Sequence, residues 1–310
     1  MEDYKRILPL FSIFLLLVLL YFSDLPSVVD LLLGANLVLI PPAVLILLVS
    51  IFIRIARWKL FLRNLGVSAT WGECSYSYMP ALFLSNFTPA RIGEPVRSYF
   101  LKKIKNVSMS KTIPSVIVER VLDILTLVVL SIFILITFNL GYVVYLDILI
   151  VIFMILCGLL LLRSRKVSKV MFNVLFRLLS LHPRFRDTKG RREEISEKFH
   201  SGFRFGKFTL LMVSALSLLI WISEGLIFYL AFLSLGIEIP LLLIISVFAF
   251  SVLMGVITFL PGGIGSTEFV FALVLSNYMP LSQATAGIIL GRFLTFWLIM
   301  LIAGVFWRKI

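Results

Sequence analysis

Two long hydrophobic stretches in this chain are each interrupted by a proline that an Ile-Gly pair closely follows. The first interruption reads Pro-Ala-Arg-Ile-Gly-Glu over residues 89–94, and the second reads Pro-Gly-Gly-Ile-Gly-Ser-Thr-Glu over residues 261–268. The two lie 172 positions apart, and the same shift aligns Arg120 with Arg292. A helix broken within a bilayer frees backbone groups that lipid cannot satisfy, so broken segments in both halves are typical of transport proteins with internal repeats. The alternative is chance similarity between two leucine-rich stretches with Pro/Gly kinks.

The composition indicates that these stretches lie in a membrane. Hydrophobic residues make up 60% of the 310 residues and charged residues only 15%, whereas soluble domains average about 45–50% and about 25%. The sequence therefore predicts an all-α polytopic membrane protein. Because apolar runs occupy most of the length, a separate soluble catalytic domain is not expected.

Eight apolar segments are long enough to enter a bilayer, which a helix crosses with about 20 residues. Lys and Arg outside these segments form clusters, one of them at residues 54–63, that mark the inner side. The threading that satisfies every cluster has six full transmembrane helices and two re-entrant broken-helix hairpins, at 72–100 and 240–278, arranged as inverted repeats. The predicted full spans are 7–23, 36–60, 112–138, 144–162, 208–235 and 281–307.

A rival threading has eight full crossings. It requires Lys102, Lys103 and Lys105 to lie outside, against the positive-inside rule, so the six-crossing arrangement is preferred. The chain then divides into a first transmembrane helix with its external connection, a first inverted repeat, a connecting helix with a basic cytoplasmic loop, and a second inverted repeat. These parts cover residues 1–35, 36–138, 139–207 and 208–310. The expected location is the cell membrane, as a multi-pass protein with both termini cytoplasmic.

Most of the excess positive charge falls in one predicted inner loop. Residues 163–207 contain 13 Lys or Arg and four acidic residues, in a chain whose net charge is +13. Apolar residues from Val167 to Leu178 recur at helical spacing, which suits a helix lying on an anionic membrane surface. The ordinary cytoplasmic excess of Lys and Arg explains the same charge without a recognition role.

Ionisable residues within the apolar segments cluster around the two interruptions. Such residues cost at least about 2.5 kcal/mol each on insertion scales, so they are rare and are usually paired or face a wet cavity. The residues predicted to form a polar, ligand-binding site are Arg91, Glu94, Arg97, Glu119, Arg120, Asp123, Glu224, Glu268 and Arg292. The residues predicted to break the backbone are Asn86, Pro89, Gly93, Pro261, Gly262, Gly263 and Gly265.

The spacing of the first group of charges predicts how they interact. Glu119 and Asp123 are four residues apart on one helical face, with Arg120 beside Asp123, so this triad can pair internally. Arg91 and Arg97 have only Glu94 between them. An excess guanidinium beside a broken helix is a natural site for a phosphate or carboxylate, because its planar fork matches those groups.

The glycines of the second interruption complement these arginines. Gly262, Gly263 and Gly265 permit positive φ angles and a close approach of backbone N–H groups to a ligand. A helix that begins near Ser266 directs its positive N-terminus into the same gap. The alternative is structural: the Glu119 triad is then a buried lock between helices, and Arg292 snorkels or pairs with Glu224.

Cysteine and histidine give no sign of a metal or cofactor. Cys74 and Cys157 lie in unrelated segments, and His182 and His200 both fall in the polar loop without other ligands at metal-site spacing. We therefore predict that the protein has no structural metal and no cofactor.

Four motifs in this order resemble the transmembrane domain of the lysylphosphatidylglycerol synthase/flippase family. They are the residues 86–97, the Glu-Arg-Val-Leu-Asp run at 119–123, the 261–268 motif and Arg292, and the resemblance covers about residues 36–305. It implies a membrane module that moves lipids between leaflets. One branch attaches this module to a soluble synthase domain. This chain ends at Ile310 and is expected to be a stand-alone member, so neither aminoacyl transfer nor an aminoacylated cargo is carried over.

The favoured hypothesis is a lipid translocase that moves an anionic, phosphate-bearing lipid through a midplane cavity between the two hairpins. The cargo is a phospholipid or a polyprenyl-phosphate-linked lipid, and carboxylates such as Glu94 or Glu268 are candidates to release a proton as the anion binds. One alternative is a membrane-embedded enzyme or enzyme subunit acting on a lipid-linked phosphate or sugar, with Glu119 and Asp123 as acid/base groups. The other is a small-solute carrier.

Anionic membrane lipids are the expected partners. A second copy of the chain and a lipid- or glycolipid-synthesising enzyme are further candidates, and no nucleic-acid partner is expected.

Overall fold

The computed structural model describes residues 3–88, 93–137 and 192–307, together with residues 164, 166, 169, 170, 172 and 173. In these ranges all regular secondary structure is helical, as predicted. A short 3₁₀ turn, Leu37–Leu39, precedes the helix that begins at Ile40, and the π-helical turn Phe293–Trp297 joins the last two helices. The helices are α1 (Asp3–Phe22), α2 (Leu25–Leu33), α3 (Ile40–Asn64), α4 (Trp71–Asn86), α5 (Val96–Lys105), α6 (Met109–Thr137), α7 (Arg192–Ser201), α8 (Lys207–Ser234), α9 (Leu241–Ile257), α10 (Ser266–Leu275), α11 (Leu281–Arg292) and α12 (Leu298–Trp307).

Length and composition identify the membrane-crossing helices of the described ranges. Helix α6 is 29 residues long but carries three charged residues in its central part, Glu119, Arg120 and Asp123. The predicted span 144–162 lies outside the described residues. Three described helices are long and apolar enough to cross a membrane, and they correspond to three of the predicted spans: Leu37–Asn64, Lys207–Ser234 and Leu281–Phe306.

The N-terminal region forms a right-angled elbow. Helix α1 covers most of the first predicted span, and the segment that follows it, which the sequence predicts to be an external connection, contains a second apolar helix, α2. The two helices meet at 89°. The new helix begins after Asp24 because Pro26 occupies its first turn, where a missing N–H is harmless. Ser23 fixes the elbow through a 2.7 Å hydrogen bond between its hydroxyl and that of Thr285 in α11.

Helix boundaries recur with the 172-residue shift found in the sequence. Moved by 172 positions, the start of α6 at Met109 coincides with the start of α11 at Leu281. Helix α4 ends at Asn86, and α9 ends at Ile257, one residue from the shifted position. Both halves of the chain therefore contain the same succession: a long helix, two short helices around an interruption, and another long helical segment.

Packing between the halves is reciprocal. Helix α3 runs along α8 in the most extensive contact between two described helices, while α9 packs on α6 and α4 packs on α12. The first helix of each hairpin, α4 or α9, therefore packs against the half of the chain that contains the other hairpin. Each first arm is also followed by an exposed phenylalanine, Phe87 or Phe259, and these two residues are again 172 positions apart.

Small residues allow close approach between the second hairpin and α8. Gly225 of α8 faces Ile245 of α9, and a β-carbon on Gly225 would stand 2.8 Å from the Ile245 side chain and 3.2 Å from its Cα. Membrane helices depend on such contacts because lipid gives them no hydrophobic drive to associate. Substituting Gly225→Ala is therefore expected to reduce stability by about 1–3 kcal/mol through overpacking.

Thermal unfolding in detergent, followed by intrinsic fluorescence, measures this effect. The matched control is Gly72→Ala, because a β-carbon on Gly72 has its nearest neighbour 4.0 Å away and alanine favours a helix over glycine. Equal melting temperatures for the two variants would show that the α8–α9 contact does not require a glycine.

Candidate functional site

The end of the first hairpin's first helix contacts the interruption of the second hairpin. A β-carbon on Gly262 would lie 2.9 Å from the backbone oxygen of Asn86, so the end of α4 touches the second interruption directly. Gly262, Gly263 and Gly265 take φ angles of +60°, +65° and +87°, which L-residues with a β-carbon rarely adopt. At the first interruption, Pro89 and Arg91 lie outside the described residues.

The first interruption closes through its own polar groups. The backbone N–H of Gly93 donates to the Thr88 hydroxyl at 2.8 Å, and that hydroxyl donates to the carbonyl of Ser85 at 3.0 Å. A β-carbon on Gly93 would stand 3.0 Å from the Cα of Ser85. Gly93 therefore permits the chain to fold back closely on the last turn of α4.

The second interruption leads into α10, which begins at Ser266. The sequence suggests that this helix N-terminus faces a ligand, but the structure shows that Glu268 occupies it. The Glu268 carboxylate accepts the N–H of Gly265 at 2.7 Å and also pairs with Arg292. Helix α1 covers the same turn, because a β-carbon on Gly265 would lie 2.5 Å from the carbonyl oxygen of Ser12.

Two arginines at repeat-equivalent positions bind the acids that follow the interruptions. Arg120 in α6 pairs with Glu94 at 2.8 Å, and Arg292 at the end of α11 pairs with Glu268. The possible pairing of Arg292 with Glu224 is therefore not what the structure shows. In each half, an arginine–glutamate pair therefore connects the residues that follow the interruption to the next long helical segment.

A cluster of six charged side chains includes the first of these pairs, and we call it the ionic hub; five of the six are buried and Arg120 is partly exposed. It contains three arginines and three acids, so its net charge is zero, and Arg57, Glu119 and Arg97 are at most 1% exposed. The hub connects α3, the first hairpin and α6. Its members are Arg57, Glu94, Arg97, Glu119, Arg120 and Asp123.

Arg57 and Glu119 are the central partners of the hub. The Arg57 guanidinium donates to Glu119 at 2.7 Å and to Asp123 at 2.6 Å, and also to the Ser217 hydroxyl of α8 at 2.6 Å. Arg97 donates to both oxygens of Glu119, at 2.8 and 3.1 Å. Such bidentate, charge-assisted bonds are the strong ones.

The hub changes the interpretation of two sequence-predicted residues. Arg120 does contact Glu119 at 3.2 Å and Asp123 at 2.6 Å, yet these acids are chiefly held by arginines of other helices. Arg97 is not an excess cation, since it binds Glu119 and lies over the ring of Trp58 at 4.3 Å. These contacts favour the structural alternative, a buried lock between helices.

The sequence analysis missed Arg54 and Arg57. Both lie near the end of the apolar run of α3, and they were assigned with Lys59 and Arg63 to a basic cluster at the inner surface. They are nevertheless 2% and 0% exposed, respectively, whereas Arg63 is exposed. The available signal was their spacing of three residues within the predicted span 36–60, which puts both on one helical face.

Arg54 forms a second buried ion pair with Glu224 of α8. Their side chains are 3% and 9% exposed, and the Arg54 guanidinium also lies 5.9 Å from the centre of the Trp221 ring. This pair sits between the two central helices, α3 and α8.

A cavity opens between the interruptions and this ion pair. It offers about 50 Å³ for the centres of water molecules, which is room for a few waters. The cavity is therefore small in this conformation. Its polar lining consists of Arg54, Asn86, Glu224, Gly262, Gly263, Thr267, Arg292 and Thr295, and its apolar lining includes Trp221, Phe248 and Phe296.

The cavity and the hub bring most of the predicted site residues together in two groups. Glu224 and Arg292 line the cavity, and Glu268 lies beside it through its bond to Arg292. The other described acids and arginines of the prediction belong to the hub. Within the described ranges, no group of three or more His, Cys, Asp and Glu side chains has a geometry that could hold a metal ion.

Comparison with known proteins gives matches over nearly the whole chain. Residues 9–303 match the sequence model of a family described as the lysylphosphatidylglycerol synthase TM region. A UPF0104 membrane protein of Pyrococcus horikoshii is 29% identical over 323 aligned positions, which cover 97% of this chain and 96% of that protein. A UPF0104 membrane protein of Methanocaldococcus jannaschii is 26% identical over 313 positions, covering 94% and 90%.

Proposed function

The chain belongs to the lysylphosphatidylglycerol synthase transmembrane-region family, and we propose that it is a lipid translocase. In this proposal it moves an anionic, phosphate-bearing lipid, either a phospholipid or a polyprenyl-phosphate-linked lipid, between the leaflets. The observation that carries the proposal is the contact of Asn86, at the end of α4, with the second interruption, beside a cavity lined by the buried Arg54 and the partly exposed Arg292. Broken helices that meet at a polar cavity are the usual binding sites of transporters with internal repeats.

The proposed architecture has six full crossings and two re-entrant hairpins arranged as inverted repeats. Two observations support it: the helix boundaries recur with a shift of 172 residues, and each hairpin packs its first arm against the opposite half. In this arrangement both termini are cytoplasmic and the two interruptions come together near the middle of the bilayer.

Arg54 and Arg292 are the proposed phosphate ligands. Both line the cavity, and guanidinium groups bind phosphate through paired hydrogen bonds. Glu224 and Glu268 neutralise them while the interruptions are in contact. Because the cavity holds only a few waters in this conformation, a headgroup enters after the hairpins move apart, while its hydrocarbon tails stay in the lipid.

The ionic hub has a supporting role in this mechanism. It anchors the first hairpin to α3 and α6, so the cavity wall formed by Asn86 keeps its position. Arg91 follows Asn86 closely in sequence and remains a proposed headgroup ligand. Anionic lipids are the proposed partners, and a second copy of the chain and a lipid- or glycolipid-synthesising enzyme are further proposed partners.

Reconstitution into liposomes tests the proposed function. Purified protein is inserted into phosphatidylcholine vesicles that contain fluorescent phosphatidylglycerol, and dithionite bleaching reports movement between leaflets. Wild-type protein is expected to accelerate this movement over protein-free vesicles. Loss of a charged hydrogen-bonding partner costs about 2–5 kcal/mol in binding, so Arg54→Ala is expected to slow movement at least tenfold.

Two further variants separate binding from folding. Arg54→Ala leaves Glu224 buried without its partner, whereas the double variant Arg54→Gln with Glu224→Gln keeps the site neutral and should fold while still failing to move lipid. Arg63→Ala, on an exposed position of the same helix, should move lipid like the wild type. If correctly folded Arg54 variants match the wild-type rate, the arginine is not a headgroup ligand.

A further inference from the structure

We infer that Glu224 is a proton-binding site that works together with headgroup binding, so that one proton crosses the membrane with each phosphodiester lipid. The inference rests on the proposed lipid movement and adds its energy source. Glu224 lies on α8, between the two halves of the chain, and lines the same cavity as Arg54 and Arg292.

The first argument is direct competition for Arg54. Glu224 is bound to the Arg54 guanidinium, and both side chains line the cavity through which a headgroup would pass. The Nε atom of Arg54 is buried and has no hydrogen-bond partner among the described residues. A phosphodiester that reaches Arg54 can accept a hydrogen bond from this Nε–H. It displaces the Glu224 carboxylate when it also accepts hydrogen bonds from the terminal nitrogens of the guanidinium.

The second argument distinguishes Glu224 from the two acids suggested by the sequence. Glu268 keeps the backbone N–H of Gly265 as a second partner if Arg292 turns away. Glu94 is bound to Arg120 within the ionic hub and does not line the cavity. Glu224 is therefore the cavity acid that a ligand on Arg54 leaves without an ion-pair partner.

The third argument is the charge balance of the occupied cavity. The groups around Glu224 are Arg54 from α3 and Arg292 from α11, with Glu268 of α10 bound to Arg292. Arg57, Tyr78 and Asp123 lie near enough to act on Arg54, and Arg57 and Asp123 already neutralise each other in the hub. Helix α9, which also packs on α8, contains no ionisable residue.

With a phosphodiester bound, the two cavity arginines, the phosphate and Glu268, which is bound to Arg292 beside the cavity, are together neutral. An ionised Glu224 would add an uncompensated negative charge within the membrane, and such a charge is strongly disfavoured. A proton taken from the adjoining aqueous phase therefore attaches to the Glu224 carboxylate as a phosphate oxygen replaces it on Arg54. On the other side the phosphodiester leaves, Glu224 releases the proton, and the Arg54–Glu224 pair forms again.

A pH gradient across proteoliposomes tests this inference. The vesicles contain phosphatidylcholine with fluorescent phosphatidylglycerol, and potassium with valinomycin holds the membrane potential at zero. Because one proton accompanies one monoanion, a gradient of one pH unit is expected to enrich the labelled lipid about tenfold in the leaflet that faces the alkaline side. A trapped pH dye should record one proton for each lipid moved.

Substitution of the acid gives the second readout. Glu224→Gln cannot exchange a proton, so the gradient should leave its labelled lipid evenly distributed. Glu238→Gln removes an exposed carboxylate from the loop after the same helix, and it should keep the tenfold enrichment. An even distribution in the wild type, with rapid lipid movement and no proton flux, overturns the inference and leaves the proposed function intact. Absence of lipid movement at every pH overturns both.

Discussion

Replacing Arg57 by methionine is expected to destabilise the protein strongly, because Arg57 is a central member of the ionic hub. The substitution removes one arginine partner from both Glu119 and Asp123, together with the bond to Ser217, and leaves the hub with a net negative charge, while a long side chain stays in place. Removing one member of a buried ion pair costs about 3–5 kcal/mol, because the remaining charge is left uncompensated. At ~2–4 °C per kcal/mol for a large domain, the melting temperature in detergent should fall by about 10 °C.

Two comparisons identify the cause of this loss. Arg63→Met changes an exposed arginine on the same helix and should leave the melting temperature within about 1 °C of the wild type, since exposed charges contribute little. Adding Asp123→Asn to Arg57→Met removes the excess negative charge of the hub and should recover part of the lost stability. If the double variant is less stable than Arg57→Met alone, uncompensated charge is not the source of the instability.

The substitution Gly262→Ala is expected to abolish transport by keeping the two interruptions apart. Its β-carbon would stand 2.8 Å from the Phe296 ring and 2.9 Å from the backbone oxygen of Asn86. The ring can turn, but the backbone oxygen cannot move without displacing the end of α4. A left-handed conformation adds about 1–2 kcal/mol of strain for any residue with a β-carbon, and overpacking adds about 1–3 kcal/mol.

Gly236→Ala is the matched control for this effect. Gly236 also has a positive φ, +73°, but a β-carbon there has no neighbour within 4 Å. The control variant therefore carries the backbone strain without the collision. In the liposome assay Gly236→Ala should retain lipid movement, whereas Gly262→Ala should lose at least nine-tenths of it. Equal rates in the two variants would mean that transport does not depend on the contact with Asn86.

Sequence reasoning identified much of the fold because membrane burial leaves a strong local signal. Long apolar runs determine crossing helices, and three predicted spans correspond to helices that can cross a membrane. Proline and glycine have direct backbone consequences, which is why the ends of α4 and α9 lie next to the predicted interruptions. The elbow after α1 was not predicted because Asp24 and Pro26 suit an irregular loop as well as a helix start.

The ion pairs were harder to predict than the helices. Arg120 and Asp123 are close in sequence, so their contact follows from helical spacing. Arg57 and Glu119 are 62 positions apart, and their contact depends on how α3 and α6 pack, which periodicity does not specify. Arg54 was overlooked for a further reason: an arginine near the end of an apolar run has the same sequence pattern whether it faces the cytoplasm or the protein interior.

The ionic hub makes the two halves of the molecule mechanically unequal. The arginine of the first half, Arg120, is one of six interlocked charges, while its counterpart Arg292 has Glu268 as its sole ion-pair partner in the part of the chain that the structure describes. The second hairpin has that one ion pair and is otherwise held by apolar packing and close glycine contacts. In the proposed translocation we therefore expect the C-terminal hairpin and α1, which packs on it, to move, while the N-terminal half keeps its arrangement.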